Sequence, residues 1–293
     1  MIYLAIAAAV VTISLKAGAW LVTGSVGLAA DAAESLVNLA AAVVALIVVR
    51  WSGQPADEDH AYGHEKADYL SAGTEGTMII VAAVLIAVGA VERLINPVPL
   101  ESIGIGLAVT AVATAINLFV ALQLLKVGRE ETSNTLIADG KHLQTDVITS
   151  VGVIVGVAIV GITGVDWLDP LIALVVAVNI VVTGFFLVKG ALSGLLDHAL
   201  EPAEIEKIED VLSRYRAEGL SFHALRTRRA ANRAFVSIHV LVPGDWSVQQ
   251  GHDKAEQIES DLRALFGVTT VFTHLEPIED PVSFEDTRLD RDR

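Results

Sequence analysis

Apolar residues dominate the first two thirds of the chain, in runs about as long as a lipid bilayer is thick. Six such runs, at about 2–22, 25–49, 69–94, 102–126, 136–162 and 169–190, each approach the roughly 20 residues that a spanning helix needs. Turn-forming residues separate them at Thr23-Gly24, at Asn96-Pro97-Val98-Pro99 and over 163–168. After Leu196 the pattern changes. Ile205, Ile208, Val211 and Tyr215 recur at helical spacing within 202–218, while 222–229 and 234–242 read as strands around a turn at 230–233. Over 247–266, Val248, Ala255, Ile258, Leu262 and Leu265 share one helix face, and 269–276 predicts a last strand. The expected architecture is a membrane all-α six-helix domain over 1–196, then a small α+β domain (helix–strand–strand–helix–strand) over 197–280. The charged stretch 281–293 reads as a disordered tail.

Composition agrees with this pattern. Of 293 residues, 53% are hydrophobic, and the mean hydropathy of +0.57 is that of a polytopic membrane protein. The first apolar run reads as a span, not as a separate signal peptide, and Met1 at its edge leaves little or no polar lead. Arg50, Lys66, Lys126, Arg129, Lys141 and Lys189 flank the second, fourth and sixth helix ends, and Arg93 stands alone on the other side. Positive-inside therefore places the 50–68 loop, the 127–135 loop and the C-terminal domain in the cytosol, with the helices in an inner or plasma membrane. Gly152 and Gly156 form a small-xxx-small pair that predicts close helix packing. A net charge of −15 argues against nucleic acid as a partner. Without cysteine, a metal site here must use His, Asp, Glu and amide ligands.

Charge inside the spans is the informative feature, because each ionisable group there costs at least a few kcal/mol and normally faces a cavity or a partner. Glu34 and Asn38 are spaced i, i+4 in the second helix, with Asp31 one turn earlier on nearly the same face. His142 and Asp146 repeat that spacing in the fifth. Two such pairs can converge on one tetrahedral site of four ligands, or serve as polar glue between helices. Glu75 in the third helix reads as a proton relay or as a bond to a neighbouring helix.

Asp57, His60 and His64 lie close enough in the loop after the second helix to chelate one ion, though an acidic loop with incidental histidines has the same composition. In the α+β domain, alternation turns His239 away from the apolar face formed by Val236, Ile238, Val240 and Val242, and puts His274 and Glu276 on one face. His223 and His252 lie near these elements, and any one of the four histidines alone reads as an ordinary surface or core residue. With His60, His64 and His142 they make up all but one of the eight histidines, leaving only His198 unassigned.

Four segments carry a family resemblance. Gly24-Ser25-Val26-Gly27-Leu28-Ala29-Ala30-Asp31 followed by Glu34 and Asn38, then His60-Ala61-Tyr62-Gly63-His64-Glu65-Lys66, resemble the second helix and the following loop of the cation diffusion facilitator family. His142-Leu143-Gln144-Thr145-Asp146 resembles its fifth helix, and Arg226-Thr227-Arg228 after His223 with Ile238-His239 its cytosolic domain. The resemblance implies a homodimer that exports divalent transition-metal ions against protons. It implies a transport site at Glu34, Asn38, His142 and Asp146, with Asp31 as a possible extra ligand, and a second site at Asp57, His60 and His64. A two-ion dimer-interface site of His223, His239, His252, His274 and Glu276 would act as structural glue or as a sensor. Lys66 and Asp197 stand where some members place a salt bridge. The chain departs from zinc exporters of the family, which place Asp or His and then Asp where it has Glu34 and Asn38. Zn²⁺ is the expected ion, with Mn²⁺, Fe²⁺ and Co²⁺ as alternatives. An intramembrane metalloenzyme would want an HExxH base, which is absent, and a membrane-anchored metal sensor is the remaining reading.

Overall fold

The computed structural model describes residues 2–130 and 134–285. Six long helices come first: α1 Ile2–Thr23, α2 Val26–Ser52, α3 Ala67–Ile95, α4 Ile103–Glu130, α5 Asn134–Thr163 and α6 Leu168–Leu195. All six are long and apolar enough to cross a membrane. Helices suit that solvent because each satisfies its backbone hydrogen bonds within one segment. Many large side chains are exposed, Leu85, Ile148, Ile162 and Val175 among them, while the buried positions combine Ala30, Ala83, Ala113, Ala121, Ala173 and Ala177 with larger Leu28, Leu124 and Val157. Exposed large apolar side chains and an interior rich in alanine are expected where lipid, not water, surrounds the bundle.

The chain forms two compact units, one of Met1–Ile47 with Ser71–Lys189, the other of Val48–Leu70 with Gly190–Arg293. In the first unit, Gly24 takes φ +67° between α1 and α2, a backbone conformation that favours glycine, and its carbonyl accepts a 2.8 Å hydrogen bond from Arg93. The start of α2 is capped from α6. Asp169, fully buried, accepts from the Ser25 hydroxyl at 2.5 Å and from the Val26 and Gly27 N–H groups at 2.7 and 3.3 Å. A carboxylate on the exposed N–H groups of a helix start is favourable through both hydrogen bonding and the helix dipole.

In the second unit, α7 (Pro202–Arg216) precedes strands β1 (Ser221–Ala230) and β2 (Arg233–Val242); α8 (Val248–Arg263) precedes β3 (Val268–Pro277). The sheet order is β1-β2-β3, antiparallel for the first pair and parallel for the second. The parallel pair needs a crossover, and α8 supplies it. Ser247 and Gln250 open α8 with a reciprocal capping box. Ile208 and Leu212 of α7, Ile258 and Leu262 of α8, and Val236, Ile238 and Val240 of β2 bury together as the core. The opposite face of β2 carries Ser237 and His239 between buried Phe235 and Leu241. Beyond β3, Pro281–Phe284 forms a 3-10 turn where a disordered tail was expected. Asp280 caps it by accepting from the Val282 N–H at 3.0 Å, and buried Ser283 donates to the Pro277 carbonyl at 2.9 Å. Residues 286–293 of that tail, and 131–133 of the expected 127–135 loop, lie outside the described residues.

The expected small-residue contact is only half present. Gly156 packs on Ile172, whereas Gly152 meets nothing. α3 and α6 also approach closely, since a methyl group on Gly76 or Gly184 would come within 2.9 Å of the other's carbonyl oxygen. Gly184→Leu should therefore force α3 and α6 apart and cost roughly 1–3 kcal/mol. Thermal unfolding in detergent should show a lowered midpoint for Gly184→Leu and little change for Gly152→Leu.

Candidate metal sites

Glu34 and Asn38 of α2 and His142 and Asp146 of α5 line one cavity of about 90 Å³ in the first unit. The i, i+4 spacing on each helix stacks the two side chains of each pair on one face, so two helices deliver four polar groups to one place. The Asn38 amide donates to Asp146 Oδ2 at 3.0 Å, which leaves its carbonyl oxygen free to accept or ligate, and His142 Nε2 lies 4.0 Å from the same carboxylate oxygen. Asp146 is buried and His142 half exposed. The set is not drawn tight: Glu34, His142 and Asp146 do not bring their ligand atoms all within 4.8 Å of one another. Thr145, Thr149, Asn179 and Thr183 line the same cavity. Asn179 was legible as a second amide within an apolar span.

Asp31 is turned elsewhere. It does not line that cavity; its Oδ1 sits 2.9 Å from Nζ of Lys16 on α1 and accepts from the Ser150 hydroxyl of α5 at 2.6 Å. Lys16 is 1% exposed. This is the residue sequence reasoning missed, and the signal was present: one cation in the middle of an apolar span requires an internal partner. Glu75 is half-buried on α3 and does not line the cavity either.

The second unit holds two clusters. Asp57, His60 and His64 bring three ligand atoms within 4.8 Å of one another. Asp57 Oδ1 is 3.3 Å from His60 Nδ1, Asp57 Oδ2 is 3.3 Å from His64 Nε2, and the two imidazoles lie 4.4 Å apart with Trp51 beside both. The Asp57 carboxyl is held below the usual carboxylate range, chiefly by the 2.7 Å hydrogen bond from the His60 N–H and then by the imidazole charges. Its contribution to stability is thus present above the unfolded-state pKa and lost only as pH falls through the lowered value. At neutral pH the loop presents a standing anion to two imidazoles. The buried His64 Nδ1 has no hydrogen-bond partner.

The sheet builds the other cluster. His223, His239 and His274 occupy paired positions across β1, β2 and β3, with ring centroids 5.1 and 4.9 Å apart. A bulge follows His223, where Ala224 takes φ +51°. Glu276 points back into this row: Oε2 lies 2.9 Å from His223 Nε2, and Oε1 lies 3.3 Å from His239 Nδ1 and 3.6 Å from His274 Nε2. His223, His239 and Glu276 gather within 4.8 Å, but the buried Glu276 Oε2 has no aligned hydrogen bond. A carboxylate oxygen left in that state among imidazole nitrogens fits a divalent cation held by this set. His274 is the more exposed edge of the row. His252 is exposed early on α8 and is not among the gathered residues, and His198 is exposed after α6 with Nδ1 2.6 Å from the Ala199 carbonyl.

Lys66 and Asp197 do pair, at 2.9 Å, and Arg228 reaches the same Asp197 oxygen at 3.2 Å while lying 3.8 Å over the Phe235 ring. Burial pushes the Asp197 carboxyl up, but the hydrogen bond and charge of Lys66, with the charge of Arg228, outweigh it and hold the carboxyl low.

Polar side chains inside a bundle of spanning-length helices, followed along the chain by a domain with a metal-competent cluster, are the marks of a multi-pass membrane protein that handles cations. Comparison with known families agrees. Residues 2–196 match the cation efflux transmembrane domain and residues 200–278 the cytoplasmic domain of cation efflux proteins. The chain is 48% identical over 282 residues to an uncharacterized transporter, sll1263, of Synechocystis sp., covering 96% of this chain and 91% of that one. It is 32% identical over 276 residues to the cation-efflux pump FieF of Salmonella arizonae, covering 93% and 90%. Among solved structures, CzrB in its Zn form is 34% identical over 29% of this chain and 96% of that one, with a TM-score of 0.27. The chain belongs to the cation efflux, or cation diffusion facilitator, family of membrane transporters.

Glu276→Gln should lower the amount of Zn²⁺ that the full-length protein retains, since the amide replaces the one anion of the sheet cluster. Equilibrium dialysis in detergent checks this, with His239→Ala expected to do the same and Asp57→Asn expected to remove a separate increment.

Proposed function

We propose that the chain is a homodimeric exporter that moves divalent transition-metal ions out of the cytosol in exchange for protons, with zinc as its principal ion. The observation that carries this reading is the convergence of Glu34, Asn38, His142 and Asp146 on one cavity lined by α2, α3, α5 and α6. Open to the cytosol, Glu34 and Asp146 supply two negative charges, which neutralise one M²⁺, while His142 and the Asn38 carbonyl complete a four-donor set suited to zinc. Open to the other side, a higher proton activity displaces the ion, because only deprotonated ligands hold metal. An imidazole, with an ordinary pKa near 6.5, belongs in such an exchange. The Asp57 loop and the sheet cluster serve as regulatory or structural sites, the latter at the dimer interface, and the basic flanks of the helices favour a cytosolic C-terminal domain. The neutral amide at Asn38 also leaves room for Mn²⁺, Fe²⁺ or Co²⁺, since affinity order alone does not select among them.

The test is uptake into proteoliposomes under a pH gradient across a panel of metals. Asp146→Ala should reduce flux to background while leaving a folded protein, and His142→Ala should do nearly the same and flatten the pH dependence; wild-type rates from either variant would reject the site. Flux absent from the wild type, with metal still bound, would favour a membrane-anchored sensor. Asn38→Asp adds one negative charge at the ion. It should lower the apparent KM, leave the maximal rate unchanged or reduced, and shift preference from Mn²⁺ toward Zn²⁺ in a competition assay.

A further inference from the structure

Lys16 is among the most deeply buried charges of the first unit, and it is fully engaged. Its ammonium has three N–H donors, and Asp31 Oδ1, Ser35 Oγ and Ser150 Oγ each lie 2.9 Å from Nζ. Ser150 in turn donates to Asp31 Oδ1, and Ser35 donates to the Asp31 backbone carbonyl at 3.0 Å. The cation therefore joins α1 to α2 and α5, the two helices that carry the quartet. On α2, Asp31 lies one turn before Glu34 and Ser35 directly after it; on α5, Ser150 lies one turn beyond Asp146. Lys16 and Asp31 both act electrostatically on Glu34 and on Asp146.

Three carboxylates thus stand close together in the bundle, and one of them is tied to a lysine. We propose that Lys16 is a positioning residue that holds Asp31 out of the metal's coordination shell and so keeps the transport site at two negative charges. Asp31 Oδ2 is buried with no hydrogen-bond partner; it is an oxygen donor, and the carboxylate that bears it is turned to Lys16 and Ser150. A site of three free carboxylates would bind a divalent ion more tightly and release it more slowly. The lysine cancels the third charge and leaves an ion that can depart. This inference rests on the quartet being the transport site.

The two charges make opposite predictions. Zn²⁺ flux in proteoliposomes should show the apparent KM falling roughly tenfold in Lys16→Met, with a reduced maximal rate, because Asp31 is released toward the ion. In Asp31→Asn the unopposed Lys16 should raise KM by about the same factor. The double variant Lys16→Met/Asp31→Asn removes both charges and should return KM to within about threefold of wild type. If Lys16→Met fails to fold, the rise in Asp31→Asn and its reversal in the double variant carry the test. A shift in the same direction in both single variants, or losses that add in the double variant, would reduce the pair to helix glue and overturn the proposal. Asp146→Ala run alongside separates the two readings. Wild-type flux in that variant rejects the quartet itself, whereas background flux there with unmoved KM in the Lys16 and Asp31 variants rejects this inference alone.

Discussion

A charge placed in hydrocarbon must find an opposite charge, a set of dipoles or an ion, and this constraint organises the membrane part of the molecule. Three buried carboxylates of the bundle answer it differently. Asp169 answers with hydrogen bonds from a helix start. Asp31 and Lys16 answer with each other and two serines. Asp146 takes the Asn38 amide, with His142 nearby, while lining a cavity. The first two arrangements are closed and the third is open, and openness is what a permeating ion requires.

The second unit meets the same electrostatics in water, where the cost of an exposed charge is small and pairs are worth little. Its clusters therefore depend on geometry more than on desolvation. The sheet sets His223, His239 and His274 side by side through strand pairing, and Glu276 reaches back along β3 to close the set. The Asp57 loop achieves a similar density locally, with the carboxylate anchored by the His60 N–H before any ion arrives.

The helices, the strands and their order were legible because bilayer length and the periods of two and 3.6 are local signals. So were the residues of the quartet, since i, i+4 polar pairs stand out against apolar spans. Lys16 was not, because its partners lie 15, 19 and 134 residues away and no local period connects them. Asp31, grouped with Glu34 by helical phase, faces a cation that phase alone does not reveal. His252 joined the histidine set of the α+β domain by resemblance, and in the fold it is exposed early on α8 and outside the gathered His223, His239 and Glu276. The turn at Pro281–Phe284 escaped notice because charge suggested solvent, whereas Asp280 and Ser283 tie it to the end of β3.

The Asp169 cap has a mechanical meaning. With its first residues bound to α6, α2 behaves as a rod clamped at one end. At about 1.5 Å of rise per residue, Glu34 stands roughly 12 Å from the clamp, Asn38 roughly 18 Å and Ile47 over about 30 Å. A tilt of some 10° would then carry Glu34 by about 2 Å and Ile47 by about 5 Å. The Glu34 carboxylate moves little while the far end sweeps more than twice that distance. The clamp makes α2 a lever whose short arm carries Glu34 and whose long arm ends at Ile47.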